Sequence, residues 1–137
     1  MLYIIRTAQQ PYIMFKKKAS INVFGKPLET CCNNPKTGFF RNGLCDTCKE
    51  DQGIHTVCIL ATEKFLEFSK AAGNDLSTPR PELQFPGVKP GDRWCLCAIR
   101  WKQAYDSGIA PPVFLESTHI ETLKFIDLNM LQQYAVN

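Results

Sequence analysis

The sequence predicts an α+β domain in which one small mixed sheet packs with short helices in two layers, together with one long ordered proline-rich loop. Strand-length apolar runs and short helical patterns mix along the chain without the regular strand–helix alternation of a parallel α/β fold. The 137 residues suit one domain with a sizeable core. Apolar residues make up 45% and charged residues 21%, which excludes disordered and collagen-like chains.

The first half of the domain contains one strong strand and one strong helix. Residues 21–24 alternate in polarity and predict a short strand, whereas residues 29–53 are rich in turn-forming residues and predict irregular structure. The run HTVCILA at 55–61 predicts a buried strand. A helix then begins after the N-cap Thr62 and ends at Gly73, which we expect in the left-handed conformation.

The segment 74–92 predicts a long ordered loop without regular structure. Its prolines fix backbone angles and its glycines supply turns. Loops of this length are usually functional or disordered, and the prolines together with Phe85 favour an ordered one. The residues concerned are Pro79, Pro81, Pro86, Pro90, Gly87 and Gly91.

Shorter elements fill the second half of the chain. RWCLCAI at 93–99 predicts a buried strand with Cys95 and Cys97 on one face. Thr118 and Glu121 have the spacing of a capping box, which places His119 in the first turn of a short helix. The remaining predictions are strands at 113–116 and 125–126, and helices at 100–107 and 127–134.

Residues 1–20 are expected to be a basic, flexible extension, so that the globular domain covers residues 21–137. From residue 19 onward, 12 basic residues face 13 acidic ones. A basic excess confined to one end argues against a nucleic-acid partner, and no apolar run approaches the ~18–20 residues of a membrane span. Because the start lacks the apolar region of a secretory signal, we expect a cytoplasmic protein; its basic, acid-free character leaves an organellar transit segment as the alternative.

Two long segments resemble an uncharacterised family found mainly in bacteria. EDQGIHTVCILATEKFLEFSK (50–70) and GNDLSTPRPELQFPGVKPGDRWCLCAIRW (73–101) closely resemble the domain of unknown function two-two-three-seven, and TGFFRNG (37–43) and APPVFLESTHIETL (110–123) match the same pattern. The resemblance runs from about residue 22 to residue 135. It implies a compact α+β domain in the cytoplasm, and it brings no activity, substrate or cofactor.

Seven cysteines in 137 residues allow two interpretations. Without a secretory signal the thiols are expected to be reduced, and Cys58, Cys95 and Cys97 lie on buried strands, where a free cysteine packs like a small apolar residue. This leading interpretation needs no cofactor. The alternative is a structural zinc held by four thiolates, with Cys-x-x-Cys and Cys-x-Cys spacings supplying the candidate ligands Cys45, Cys48, Cys95 and Cys97.

An enzymatic site would use a cysteine as nucleophile or metal ligand and a histidine as base or co-ligand. The candidates are Cys45, Cys58, His55 and His119. His55 and Cys58 lie three residues apart on a strand, so their side chains are expected to point to opposite faces. The simpler interpretation is that each histidine forms hydrogen bonds to a loop.

The favoured function is the binding of a small anionic molecule in a polar pocket built on loop 74–93. Arginine presents a planar fork to carboxylate or phosphate, so Arg80 and Arg93 would supply charge while Asp75, Ser77 and Asp92 orient the ligand. The simpler interpretation is that these polar side chains bond the loop's own backbone. The sequence has no phosphate-binding glycine motif, no GxSxG elbow and no HExxH helix.

Overall fold

The computed structural model describes residues 2–5 and 13–136, with side chains described from residue 15 onward. It confirms the α+β class. No helix in these ranges is long and apolar enough to cross a membrane. The strands are β1 (Leu2–Ile5), β2 (Ile13–Lys16), β3 (His55–Leu60) and β4 (Arg93–Cys97); the helices are α1 (Glu63–Ala71), α2 (Ala98–Asp106) and α3 (Leu128–Gln132); short 3₁₀ helices cover Pro81–Leu83, Leu115–Ser117 and Ile120–Lys124.

An antiparallel pair formed by β3 and β4 lies at the centre of the domain and separates two clusters of buried side chains. One face of the pair carries large apolar residues into the main core, where they meet α1 and α2. The other face carries Cys58 and Cys95, which stand directly opposite one another in the register. The described sheet is thus antiparallel and not mixed as predicted. Isolated bridges beside it join Ile59 to Val113 and, in the parallel direction, Val113 to Ala135.

The helix α1 forms where the sequence predicts it, whereas α2 begins at Ala98, two residues earlier than predicted, so that the predicted strand at 93–99 ends at Cys97. Thr62 caps α1 because its hydroxyl accepts a hydrogen bond from the backbone N–H of Phe65 at 3.1 Å. Gly73 follows the helix with a φ of +95°, a conformation that suits glycine. On α2, Trp101 is fully buried and its indole N–H donates to the carbonyl of Pro111 at 3.1 Å.

Several short predictions are wrong, because tertiary hydrogen bonds replace the regular structure that the local pattern indicates. The predicted strands at 21–24 and 113–116 are reduced to isolated bridges, and residues 125–126 form a turn. Thr118 does not cap the following helix, since its hydroxyl donates to the carbonyl of Phe114. His119 is the cap, and its Nδ1 accepts a hydrogen bond from the N–H of Glu121.

The N-terminal segment contains a ladder that the sequence did not predict. Strands β1 and β2 pair antiparallel over residues 2–5 and 13–16. Residues 17–20 contact the domain: the N–H of Lys18 donates to the carbonyl of Thr47, and the Ser20 hydroxyl donates to Asp46 at 2.6 Å. That residues 1–20 as a whole are a flexible extension stays a prediction.

Loop 74–92 is folded back on itself as expected. Backbone hydrogen bonds join Arg80 to Phe85 in both directions, and the N–H of Val88 donates to the carbonyl of Leu76. Gly87 is required here, because its φ is +84° and a Cβ atom would lie 2.5 Å from the carbonyl oxygen of Ser77. The loop therefore presents its side chains from a fixed backbone.

Candidate functional site

Four cysteines meet on the second face of the central strand pair. Cys58 of β3 is disulfide-bonded to Cys31, and Cys95 of β4 is disulfide-bonded to Cys45. All four are buried and form one cluster, against which Phe114 packs. The two bridges fasten the irregular segment 29–53 to the strands. The interpretation of Cys58 and Cys95 as free core cysteines is therefore wrong.

The remaining cysteines Cys32, Cys48 and Cys97 are free. Burial raises the pKa of the Cys48 thiol, which disfavours the thiolate that a nucleophile or metal ligand needs. The four cysteines proposed as zinc ligands from their spacing do not come together as a set, because Cys45 and Cys95 join Cys31 and Cys58 instead of Cys48 and Cys97. While they are in disulfides, Cys45 and Cys58 cannot act as thiolate nucleophiles.

His119 is a buried structural residue. Its Nε2 lies 2.8 Å from the carbonyl oxygen of Ala19 and its Nδ1 accepts from the N–H of Glu121, which together require the neutral ring with the proton on Nε2. Burial lowers the pKa of this imidazole below its usual value. The simpler interpretation, a histidine that bonds loops, is thus supported for His119.

This environment predicts a loss of stability in mild acid. Because the folded pKa of His119 lies below the unfolded value of about 6.5, the unfolded chain binds more protons there. The stabilising contribution is complete above about pH 6.5 and is lost as the pH falls from there through the folded pKa. We expect the melting temperature of the wild type to fall between about pH 7 and pH 5 more than that of His119→Asn, whose amide oxygen can replace Nδ1 as acceptor. Equal falls in both proteins would contradict the assignment.

His55 is held in place by a buried carboxylate. Its Nδ1 lies 2.6 Å from Oδ1 of Asp51, which is fully buried, and its backbone N–H donates to Oδ2 at 3.0 Å. The Thr47 hydroxyl donates to the same Oδ2. A carboxylate only accepts hydrogen bonds, so the Nδ1 of His55 carries a proton and its Nε2 is left for another partner. Gly53 makes room for the ring, since a Cβ atom there would lie 2.5 Å from it.

The polar residues that the sequence singled out in loop 74–93 have different roles. Asp75 accepts hydrogen bonds from the N–H groups of Ser77 and Thr78 and from the Thr78 hydroxyl, and this last bond chiefly lowers its pKa. Asp92 accepts from the N–H of Lys89 and closes a turn. These bonds agree with the simpler interpretation for Asp75 and Asp92. The guanidinium of Arg93 lies 3.8 Å above the ring of Phe114.

A cleft of about 940 Å³ opens beside the disulfide of Cys95, between loop 74–92 and the segment 34–41. Of the predicted ligand-binding residues, Asp75 and Arg80 line it, whereas Ser77, Asp92 and Arg93 do not. Of the catalytic candidates only His55 lines it. The charged side chains at its walls are Lys36, Arg41, Arg80, Asp75 and Glu82, and the aromatic ones are Phe39, Phe85 and Trp94.

The structure adds two cationic residues that sequence reasoning missed, Lys36 and Arg41. The guanidinium of Arg41 lies 5.3 Å from the centroid of the Trp94 ring and donates to the carbonyl of Gly38 at 3.2 Å. Trp94 meets Phe85 edge-to-face at 5.4 Å, and this buried tryptophan also forms a wall of the cleft. The motif TGFFRNG that contains Arg41 was visible in the sequence, but its place beside Trp94 is set by tertiary contacts, which include the two disulfides and the hydrogen bond from the Cys95 N–H to the Thr37 hydroxyl.

The fold and these sites define a small α+β domain in which two disulfides attach an irregular segment to a central strand pair. The chain belongs to the family described as uncharacterised proteins conserved in bacteria, DUF2237, whose pattern matches residues 21–135. This confirms the resemblance seen in the sequence. A search of curated proteins gave no match.

Proposed function

We propose that the protein binds a small anionic molecule in the cleft between loop 74–92 and segment 34–41. The observation that carries the proposal is the convergence of Lys36, Arg41 and Arg80, from two separate segments, on the walls of one cleft. The proposed ligand site is thus built on both segments. Arg41, and not Arg93 as expected from the sequence, supplies positive charge together with Arg80.

The charge around the cleft favours an anion. Lys36, Arg41 and Arg80 face two carboxylates, Asp75 and Glu82, and the Asp75 oxygens already accept three hydrogen bonds from loop groups. The half-exposed ring of His55 adds a further polar group through Nε2. Arginine forks bind carboxylate or phosphate in two-point geometry. A carboxylate or phosphate group is therefore the chemistry that these side chains would recognise.

The aromatic side chains that line the cleft indicate an apolar part of the ligand beside its anionic group. Phe39, Phe85 and Trp94 supply apolar surface next to the cationic side chains. Small-molecule sites combine such apolar walls with a few convergent polar groups, and the volume falls within the usual range of roughly 300–1,000 Å³. The proposed ligand has an anionic group attached to a planar or apolar body. We further propose that the protein acts in the cytoplasm, without a nucleic-acid or membrane partner.

Inorganic phosphate and citrate test the anionic part of this proposal. We expect each to raise the melting temperature of the wild type, and Arg80→Gln to lose at least half of that rise, because the substitution removes the charge and the guanidinium fork but leaves a polar side chain. Lys102→Gln is the matched control, since Lys102 pairs with Asp106 on α2 away from the cleft. Equal shifts in wild type, Arg80→Gln and Lys102→Gln would refute the proposal.

An enzymatic role is the second candidate, and the Asp51–His55 pair is the observation that favours it. A buried carboxylate that fixes the imidazole tautomer is the arrangement that orients a general base. The nucleophile proposed from the sequence is not available in the oxidised protein, because Cys45 and Cys58 are both in disulfides. Binding in the cleft is therefore the function that the geometry supports best.

A further inference from the structure

The four cysteines of the two disulfides form one buried cluster. Cys58 and Cys95 stand opposite one another on β3 and β4, so their Cβ atoms leave the same face of the strand pair. The sulfur atoms of Cys31, Cys45 and Cys58 all lie within 4.8 Å of one another, and the sulfur of Cys95 is bonded to that of Cys45. Two disulfides at separate places would not bring four sulfurs together in this way.

We propose that this cluster is a tetrathiolate site for Zn²⁺ when both disulfides are reduced, with Cys31, Cys45, Cys58 and Cys95 as the four ligands. Zinc binds four cysteine sulfurs at about 2.3 Å in a tetrahedron, which places the sulfurs roughly 3.8 Å apart. On reduction the two sulfurs of each bridge would move apart by roughly 1.7 Å to reach that spacing. The sulfur of Cys45, which lies within 4.8 Å of those of Cys31 and Cys58, would approach each of them by at most about 1 Å. These are changes of the size that side-chain rotation can supply.

A dithiol is the reductant that converts the two disulfides to the four thiols of the zinc site. Each disulfide accepts two electrons and two protons from one dithiol, which becomes a cyclic disulfide, so two dithiols yield four cysteine thiols. Zn²⁺ then replaces four protons, which pass to solvent, and four zinc–sulfur bonds form. In a compartment that keeps thiols reduced, metal binding is the more usual fate of clustered cysteines.

Zinc would take over the structural task of the disulfides. Segment 29–53 has no helix or strand and is attached to the central pair through Cys31 and Cys45. The cluster is closed to solvent, as structural zinc sites are. A cation lies nearby, since the guanidinium of Arg93 lies 3.8 Å from the centroid of the Phe114 ring, which packs against the cluster. The same fold would thus persist in both redox states, with segment 29–53 attached to the strand pair either by two disulfides or by one metal ion.

Cobalt and zinc titrations of the reduced protein test the proposal. Protein reduced with a phosphine and freed of metal is expected to bind about one equivalent of Co²⁺ with the strong visible absorption of tetrahedral cobalt–thiolate, and Zn²⁺ should bleach it. Cys58→Ser should lose most of this absorption, whereas Cys48→Ser and Cys97→Ser should keep it. Loss in Cys48→Ser or Cys97→Ser, or no thiolate absorption in the wild type, would overturn the proposal.

Protection from alkylation gives the same answer without a variant that might misfold. We expect one equivalent of Zn²⁺ to slow iodoacetamide labelling of Cys31, Cys45, Cys58 and Cys95 in the reduced wild type, while Cys32 and Cys97 label as before. Mass spectrometry of the peptides reads each position. Unchanged labelling of the four, or protection centred on Cys32, Cys48 or Cys97, would overturn the assignment.

Discussion

Replacing Cys31 and Cys58 together by alanine is expected to lower the free energy of unfolding by about 3–4 kcal/mol in the oxidised protein. The bridge closes a stretch of 27 residues, and the chain-entropy relation gives about 3.6 kcal/mol for a loop of that length. The corresponding estimate for Cys45–Cys95, which spans 50 residues, is about 4.1 kcal/mol. Because the two loops overlap in sequence, we expect the effects to be non-additive.

Urea unfolding under non-reducing conditions and with a chelator measures this loss. Cys48→Ala is the matched control, since Cys48 is equally buried but free, and it removes packing without removing a cross-link. We expect the control to lose no more than about 1–2 kcal/mol. If Cys48→Ala costs as much as the paired substitution, the bridge is not what attaches segment 29–53.

Asp51→Ala is expected to cost about 2–4 kcal/mol, because a fully buried acceptor of three hydrogen bonds is removed. The Thr47 hydroxyl and the backbone N–H of His55 are then left without the partner they have in the wild type. The ring of His55 also loses the bond that orients it toward the cleft. Phosphate-induced stabilisation should therefore weaken as well.

Asp51→Asn separates the structural effect from the charge. The amide oxygen can accept from Thr47 and from the His55 backbone, and the amide nitrogen can donate to Nδ1 of His55, which moves the ring proton to Nε2. We expect most of the stability lost in Asp51→Ala to return, to within about 1 kcal/mol of the wild type. Equal unfolding free energies for Asp51→Ala and the wild type would show that Asp51 does not organise this site.

Patterns of neighbouring residues predicted strand β3 and helix α1 correctly, because local interactions determine where these elements begin and end. The apolar run at 55–61, the cap at Thr62 and the stop at Gly73 were read from neighbouring residues, and the structure confirms them. The sequence predicts the helical cap at Thr118, one residue before the observed cap, His119. The Thr118 hydroxyl cannot serve as the cap because it donates to the carbonyl of Phe114 and accepts from the N–H of Cys58 on β3. That competition involves a strand 60 residues away in sequence, so no capping pattern reveals it.

The candidate site is formed by residues that are far apart in the sequence, so most of it could not be predicted from local patterns. Arg80 was predicted from the loop's own composition and does line the cleft. Arg41 lies in a segment that has no helix or strand, and it reaches the cleft through tertiary contacts. The disulfides of Cys31 and Cys45 attach that segment to β3 and β4, and the Cys95 N–H donates to the Thr37 hydroxyl at 2.9 Å. Cysteine spacing alone pointed to a different set of four, because the partners of Cys58 and Cys95 come from the irregular segment 29–53 and meet the strands only in the folded chain.

Mapping phosphate onto the backbone amides by NMR tests the central claim most directly, namely that segment 34–41 and loop 74–92 together form one anion site. During a titration of the oxidised protein with inorganic phosphate, we predict that the largest saturable shift changes fall in segment 34–41, at His55 and in residues 80–86. Saturable changes confined to other surfaces, such as the neighbourhood of Arg93 or α2, or no saturable change at all, would contradict this account.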